Sequence, residues 1–251
     1  MLTSQRKAHI LKLLKSDGQI VAKTLSQTLG LSEDTIRRDL RELAAEGLLQ
    51  RVHGGALPSS PAVAGYADRQ QLATAGKAAI GRAAARMVRP GQIVFLDGGT
   101  TAVQVARHLP GDLVATVVTH SPSIAVELVE HPGITVELIG GRLFKHSIVT
   151  VGAAALEAIG RYHPDLYFMG VTGIHPELGL TTGDSEEAAI KRAISRASAE
   201  TVVLASAEKL GAASPYRVVP LTGIESIIVE SEVPAELRAK LDELGITFVM
   251  A

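Results

Sequence analysis

Cysteine is absent from the 251 residues. That excludes disulfides, thiolate catalysis and Cys-based zinc sites. Tryptophan is absent too and aromatics make up only 3%, so the core has to be built from Ala, Val, Leu and Ile. No stretch approaches the roughly 20 apolar residues of a membrane span. The N-terminus, Met1 to Lys7, lacks a charged region followed by a long apolar run. The chain therefore reads as a soluble cytoplasmic protein with no membrane partner. Eight histidines show no close metal-ligand spacing and read as ordinary surface or pocket residues, so neither a metal nor a cofactor is expected. An excess of either charge is missing as well, since the net charge is -1. The distribution is uneven, however. Residues 1–56 hold nine Lys/Arg against six Asp/Glu, and the remainder sixteen against twenty. A mildly basic head on an acidic body fits a nucleic-acid end joined to a different one.

What is present starts with Ser32 to Leu43. Ser32 is a good N-cap, and Glu33 and Asp34 fill the first turn, where the helix dipole favours acids. Ile36, Leu40, Leu43 and Ala44 form one apolar stripe at i, i+4, i+7 and i+8. The other faces carry Thr35, Arg37, Arg38 and Arg41. Such a helix suits the major groove of DNA, where arginine grips phosphate or reads guanine. An ordinary solvated face is the alternative, and the flanks decide between them.

Before it, residues 4–16 read as an amphipathic helix stopped by Asp17-Gly18, and residues 21–29 as a second helix with Val21, Leu25 and Leu29 inward. Gly30 stands where a left-handed C-cap is needed, so the pair forms a helix-turn-helix. After it, Leu48 to Ala56 reads as a hairpin ending at Gly54-Gly55. That is the wing of a winged helix, with Arg51 and His53 near its tip. Arg6, Ile10, Leu14, Ser32, Thr35, Ile36, Arg37, Arg38, Asp39 and Leu40, followed by Gly47-Leu48, Arg51 and His53-Gly54-Gly55-Ala56, closely resemble the signature of the DeoR family of bacterial transcriptional regulators.

Residues 57–65 carry two prolines and small residues without a period, and read as a linker. Residues 66–76 read as irregular or helical at the join. Beyond them, candidate strands at 92–97, 113–119, 134–139, 165–170, 201–205, 225–230 and 246–250 alternate with candidate helices at 77–89, 101–109, 121–130, 152–161, 185–199 and 234–244. Continuous apolar strands between helices predict a largely parallel sheet covered on both faces. The expected fold is α/β, an N-terminal winged helix-turn-helix plus a larger Rossmann-like domain. The expected division is 1–57 (helix-turn-helix about 20–40), a linker at 58–75, and 76–251.

Ligands of such sheets bind outside the carboxyl ends of the strands. Asp97-Gly98-Gly99-Thr100-Thr101 follows the first strand, and its glycines, hydroxyls and helix-start N–H groups can accept a phosphate. A plain glycine-rich turn is the alternative. Thr119-His120 and Gly140-Gly141-Arg142 end the next two, and Gly152 opens a helix. Asp165 precedes the fourth strand, which ends at Gly170 and is followed by Gly173. Lys209 follows the fifth. Glu187 and Lys191, four apart, read first as a helical ion pair. Together these ends describe a pocket for a small anion, most simply a phosphorylated metabolite.

The DeoR resemblance continues through the body. It implies a sensor resembling ribose-5-phosphate isomerase, with Asp97, Gly98, Thr100, Thr101, Gly140, Gly141, Asp165, Gly170, Gly173, Glu187 and Lys191 on family motifs. Two departures are His120, where the family often has Asn, and Ser206 in place of an acid, although Lys209 is kept. The resemblance implies a repressor of sugar or polyol genes that binds double-stranded operator DNA and is released by a phosphorylated sugar or polyol. A sugar-phosphate isomerase with an appended head is the competing reading, and an activator is a third. One small head contacts a single half-site, so a homo-oligomer, at least a dimer, is expected.

Overall fold

The structure is a computed structural model that describes residues 2–231, 233 and 235–251. The first residue of the expected 1–57 unit and the first of the expected helix 234–244 lie outside the described residues.

The head folds as α1 (Thr3–Asp17), β1 (Ile20–Val21), α2 (Ala22–Leu29), α3 (Glu33–Ala45), β2 (Leu49–Val52) and β3 (Gly55–Pro58). Gly18 and Gly30 end α1 and α2 in the left-handed conformation, at φ 71° and 63°. Ser32 caps α3, its hydroxyl accepting from Thr35 N at 3.2 Å. Ile10, Leu14, Leu25, Ile36, Leu40 and Leu43 close the core between the helices. Across that core, Arg6 pairs with Asp39 through two hydrogen bonds, one of them at 3.0 Å, and both side chains are buried. This pair explains why an arginine in the first helix accompanies an aspartate in the third.

The joining stretch is ordered. A 3-10 turn at Pro61–Val63 leads to α4 (Tyr66–Gln71), and a bridge between Ser59 and Ala213 ties it to the body.

The body runs α5 (Thr74–Ala85), β4 (Ile93–Leu96), α6 (Thr100–Arg107), β5 (Ala115–Thr119), α7 (Pro122–Glu127), β6 (Ile134–Leu138), β7 (Arg142–Phe144), β8 (Val149–Val151), α8 (Ala153–Ile159), β9 (Leu166–Gly170), β10 (Gly173–His175), β11 (Gly179–Thr182), α9 (Ser185–Ala197), β12 (Glu200–Leu204), β13 (Tyr216–Arg217), β14 (Ser226–Val229), α10 (Ala235–Glu243) and β15 (Thr247–Met250). All seven expected strands pair in parallel, in the order β15-β14-β12-β9-β4-β5-β6. Side chains alternate across the sheet as the pleat requires. Val94, Leu96, Val117, Leu166 and Phe168 pack under α5 and α6, whereas Phe95, Tyr167, Met169 and Val203 pack against α8 and α9. The alanine-rich helices α5 and α6 approach closely, and a β-carbon at Gly81 would meet Gln104 at 2.6 Å. None of the helices among the described residues is long and apolar enough to cross a membrane.

From β4 the chain moves outward through β5 and β6, then returns to place β9 on the other side of β4. The carboxyl ends of β4 and β9 therefore flank the switch point, where an open α/β sheet leaves a crevice. Two further units frame it, the β7–β8 hairpin and the antiparallel β10-β11-β13 sheet. Neither was expected, because strands of two to four residues have too few positions to show a period.

Candidate functional site

The first candidate surface is the exposed face of the head. Arg37 is tied to Glu33, Nη2 to Oε1 at 2.6 Å. Arg38 and Arg41 are exposed and form no ion pair among the described residues. Thr35 is half-buried, its hydroxyl 2.9 Å from that of Ser32. Arg51 and His53 are exposed on the β2–β3 wing. The wing turn carries Gly54 at φ 79°, and Gly55 lies against β1, where a β-carbon would come 1.7 Å from the Ile20 carbonyl oxygen.

The second candidate lies at the switch point. A cavity of about 490 Å³ opens there, within the range of small-molecule sites. Of the residues singled out from the sequence, Gly98, Gly99, Thr100, Thr101, Gly170, Glu187, Lys191 and Lys209 line it. Asp97 sits beneath, with no exposed surface. Its Oδ1 accepts from Gly98 N at 2.8 Å and His120 Nε2 at 2.9 Å, and its Oδ2 accepts from Gly170 N at 2.8 Å and from Lys191 Nζ. Burial by itself would raise this carboxyl, but Lys191 and His120 outweigh it and hold it well below the ordinary carboxylate range. The expected Glu187–Lys191 helical pair is thus replaced by a Lys191–Asp97 pair between α9 and the end of β4. Asp97 has no exposed surface and contacts the ammonium directly, whereas Glu187, also buried, faces the cavity.

The second nitrogen of His120, Nδ1, donates to the Thr150 carbonyl at 3.0 Å. Thr119 is buried and donates to the Leu96 carbonyl at 2.7 Å. Both residues support the floor instead of lining the cavity. Ser206, at the other departure, is buried and donates to Glu208 Oε1 at 2.6 Å, beside Lys209. Burial pushes Lys209 down to about 8; Glu208 opposes that shift, and Lys77, Arg69 and Lys191 add to it.

The remaining residues stand apart. Asp165 lies at the amino ends of β4 and β9, its Oδ2 accepting from Ile93 N at 2.8 Å, on the far side of the sheet from the crevice. Arg142 is exposed and pairs with Glu186. Gly141, at φ 149°, lets the chain pass Val151, whose oxygen a β-carbon would meet at 2.9 Å. Gly140 meets nothing within 4 Å of such a carbon, Gly152 begins α8 at φ 97°, and Gly173 packs on Ala212.

Sequence reasoning missed two cations on the cavity wall, Arg69 and Lys77. Arg69 lies in the stretch read as a linker, where no period marked it, and Lys77 opens the expected helix 77–89. It also missed the head's share of the wall, from Ala44, Gly47, Leu49 and Gln50.

Residues 6–61 match the family described as a DeoR-like helix-turn-helix domain, and residues 72–231 the DeoR C terminal sensor domain. The HTH-type transcriptional regulator GlpR of Haloferax volcanii is 38% identical over 99% of this chain and 98% of its own. The glycerol-3-phosphate regulon repressor of Escherichia coli is 30% identical over 97% of each. A solved ribose 5-phosphate isomerase A from Methanocaldococcus jannaschii aligns with TM-score 0.39 at 18% identity over 53% of each chain.

Proposed function

Because the chain belongs to the DeoR family of transcriptional regulators, we propose that it represses sugar or polyol catabolic genes and leaves its operator when a phosphorylated sugar-type metabolite binds the body. In this reading residues 1–57 bind DNA, 58–75 join, and 76–251 sense. The observation that carries it is the cation-lined cavity at the switch point, whose wall includes part of the head. A ligand there touches both units. It shifts DNA affinity by as much as it prefers one arrangement of head on body over another.

Thr35, Arg38, Arg41, Arg51 and His53 supply the DNA contacts, with Ser32 and Arg37 shaping the start of α3. The Gly98–Thr101 loop, Lys191 and Lys209 meet the phosphate side, and Glu187 accepts from ligand hydroxyls. Asp97, Thr119 and His120 hold that frame. At least two copies act together on an operator, since one α3 reaches one half-site.

The test is a mobility-shift titration on DNA upstream of the protein's own operon, at fixed salt. Arg38→Ala is expected to weaken operator binding about tenfold or more, with a salt slope lower by about one. Arg37→Ala should cost less, because Glu33 already holds that guanidinium. Neither should change the rise in melting temperature produced by phosphorylated sugars and polyols. Wild-type operator affinity in Arg38→Ala would sink the DNA assignment. A shift with unphosphorylated compounds alone would sink the effector class.

A further inference from the structure

Arg69 stands near the end of α4, between the two family-matched spans. Its Nη2 donates to the His146 carbonyl at 3.1 Å and to Ser147 Oγ at 3.4 Å, both on the β7–β8 turn. Nη1 reaches over the phosphate loop, 3.8 Å from where a β-carbon of Gly99 would lie. Nε is buried with no hydrogen-bond partner. The Arg69 carbonyl accepts from Lys77 Nζ and, at 3.5 Å, from Thr100 Oγ1. One short helix on the joining segment thereby touches the loop, the hairpin and α5 at once.

Lys209 faces the same space. It is 6% exposed, and none of the described residues accepts a hydrogen bond from its ammonium. A buried guanidinium N–H without an acceptor is costly. None of the neighbouring acids accepts from Arg69 Nε. Glu187, on the cavity wall, attracts the guanidinium through space but makes no hydrogen bond to it. Asp184 accepts from Glu186 N and Glu187 N at the start of α9, and Glu208 accepts from Ser206. Lysine and arginine donors converging beside a glycine loop match the three oxygens of a phosphate monoester, with the arginine fork giving direction and the ammonium groups giving charge.

We propose that Arg69, on the segment that joins head and body, grips the phosphate of the ligand together with Lys77, Lys209 and the Gly99–Thr101 backbone, and so selects phosphate monoesters. The assignment rests on the reading of the body as a sugar-phosphate sensor. It adds that the bound phosphate fastens the joining segment itself to the phosphate loop.

The full-length protein in phosphate-free buffer is titrated with inorganic phosphate and with glycerol 3-phosphate, by calorimetry and thermal shift. Arg69→Ala is expected to bind both probes about ten- to a hundredfold more weakly, the loss of one or two charge-assisted hydrogen bonds. Arg69→Lys should fall between, keeping the charge and losing the fork. Where Arg69→Ala melts early, Arg69→Lys decides. Wild-type affinity for both probes in a folded variant overturns the Arg69 assignment alone. Failure of the wild-type protein to bind either probe overturns the phosphate reading of the cavity, and this assignment with it.

Discussion

Asp97 was singled out from the sequence as a ligand contact, and the structure makes it the anchor beneath the site. Four donors converge on its carboxylate from the loop, β9, α9 and the end of β5. Asp97→Asn leaves Lys191 buried without its counter-ion, and we expect about 3–5 kcal/mol of lost stability in denaturant melts at neutral pH. The pH profile should change as well. The folded carboxyl lies below its ordinary 3.8, so its contribution is present above about that pH and is lost as pH falls further. The variant should therefore show a flatter acid limb below about pH 4. An unchanged acid limb would assign that loss of stability to other carboxyls. Nothing in Asp97-Gly98-Gly99 distinguishes a carboxylate facing a ligand from one turned inward. That depends on Lys191, 94 residues away.

Elements were legible in proportion to their length. Helix α3 had a cap, an acidic first turn and a full apolar stripe, and it folds as Glu33–Ala45 with Ser32 as its cap. The wing was legible from its glycine pair, and Gln19-Ile20 was legible as a short extended piece, but the pairing of that piece with the wing was not. Two residues, Ile20 and Val21, form β1 against β3, and only Gly55 leaves room for that approach. Gly55→Ala should detach β1 from the wing and lower head stability by about 1–3 kcal/mol, as overpacking does. Loss of protection at the Ile20 and Ala56 amides in hydrogen exchange would report it, and unchanged protection would show that the sheet can shift to accept the methyl. The β7–β8 hairpin and the β10-β11-β13 sheet escaped sequence reading because strands of two to four residues show no period, yet the hairpin turn supplies the oxygens that hold Arg69.

At the scale of the whole molecule, the cavity has two owners. Lys191 and Lys209 come from the body, whereas Gly47 and Gln50 come from the head. Saturating glycerol 3-phosphate should therefore slow amide exchange not only in the Gly98–Thr101 loop but also across residues 47–50. Slowing confined to the body would separate sensing from the head's position. The sequence by itself determined the winged helix-turn-helix, the seven strands of the body and the strand ends worth inspecting, because each rests on local periods, caps and glycines. Only the tertiary structure decided which ends meet. The return of the chain to place β9 beside β4 sets Gly98 and Gly170 at one crevice, and puts Asp165 at the opposite edge of the sheet. It also turned a stretch read as a linker into a wall of the site, since the placement of Arg69 depends on Ser147 and Gly99, contacts that no local pattern encodes.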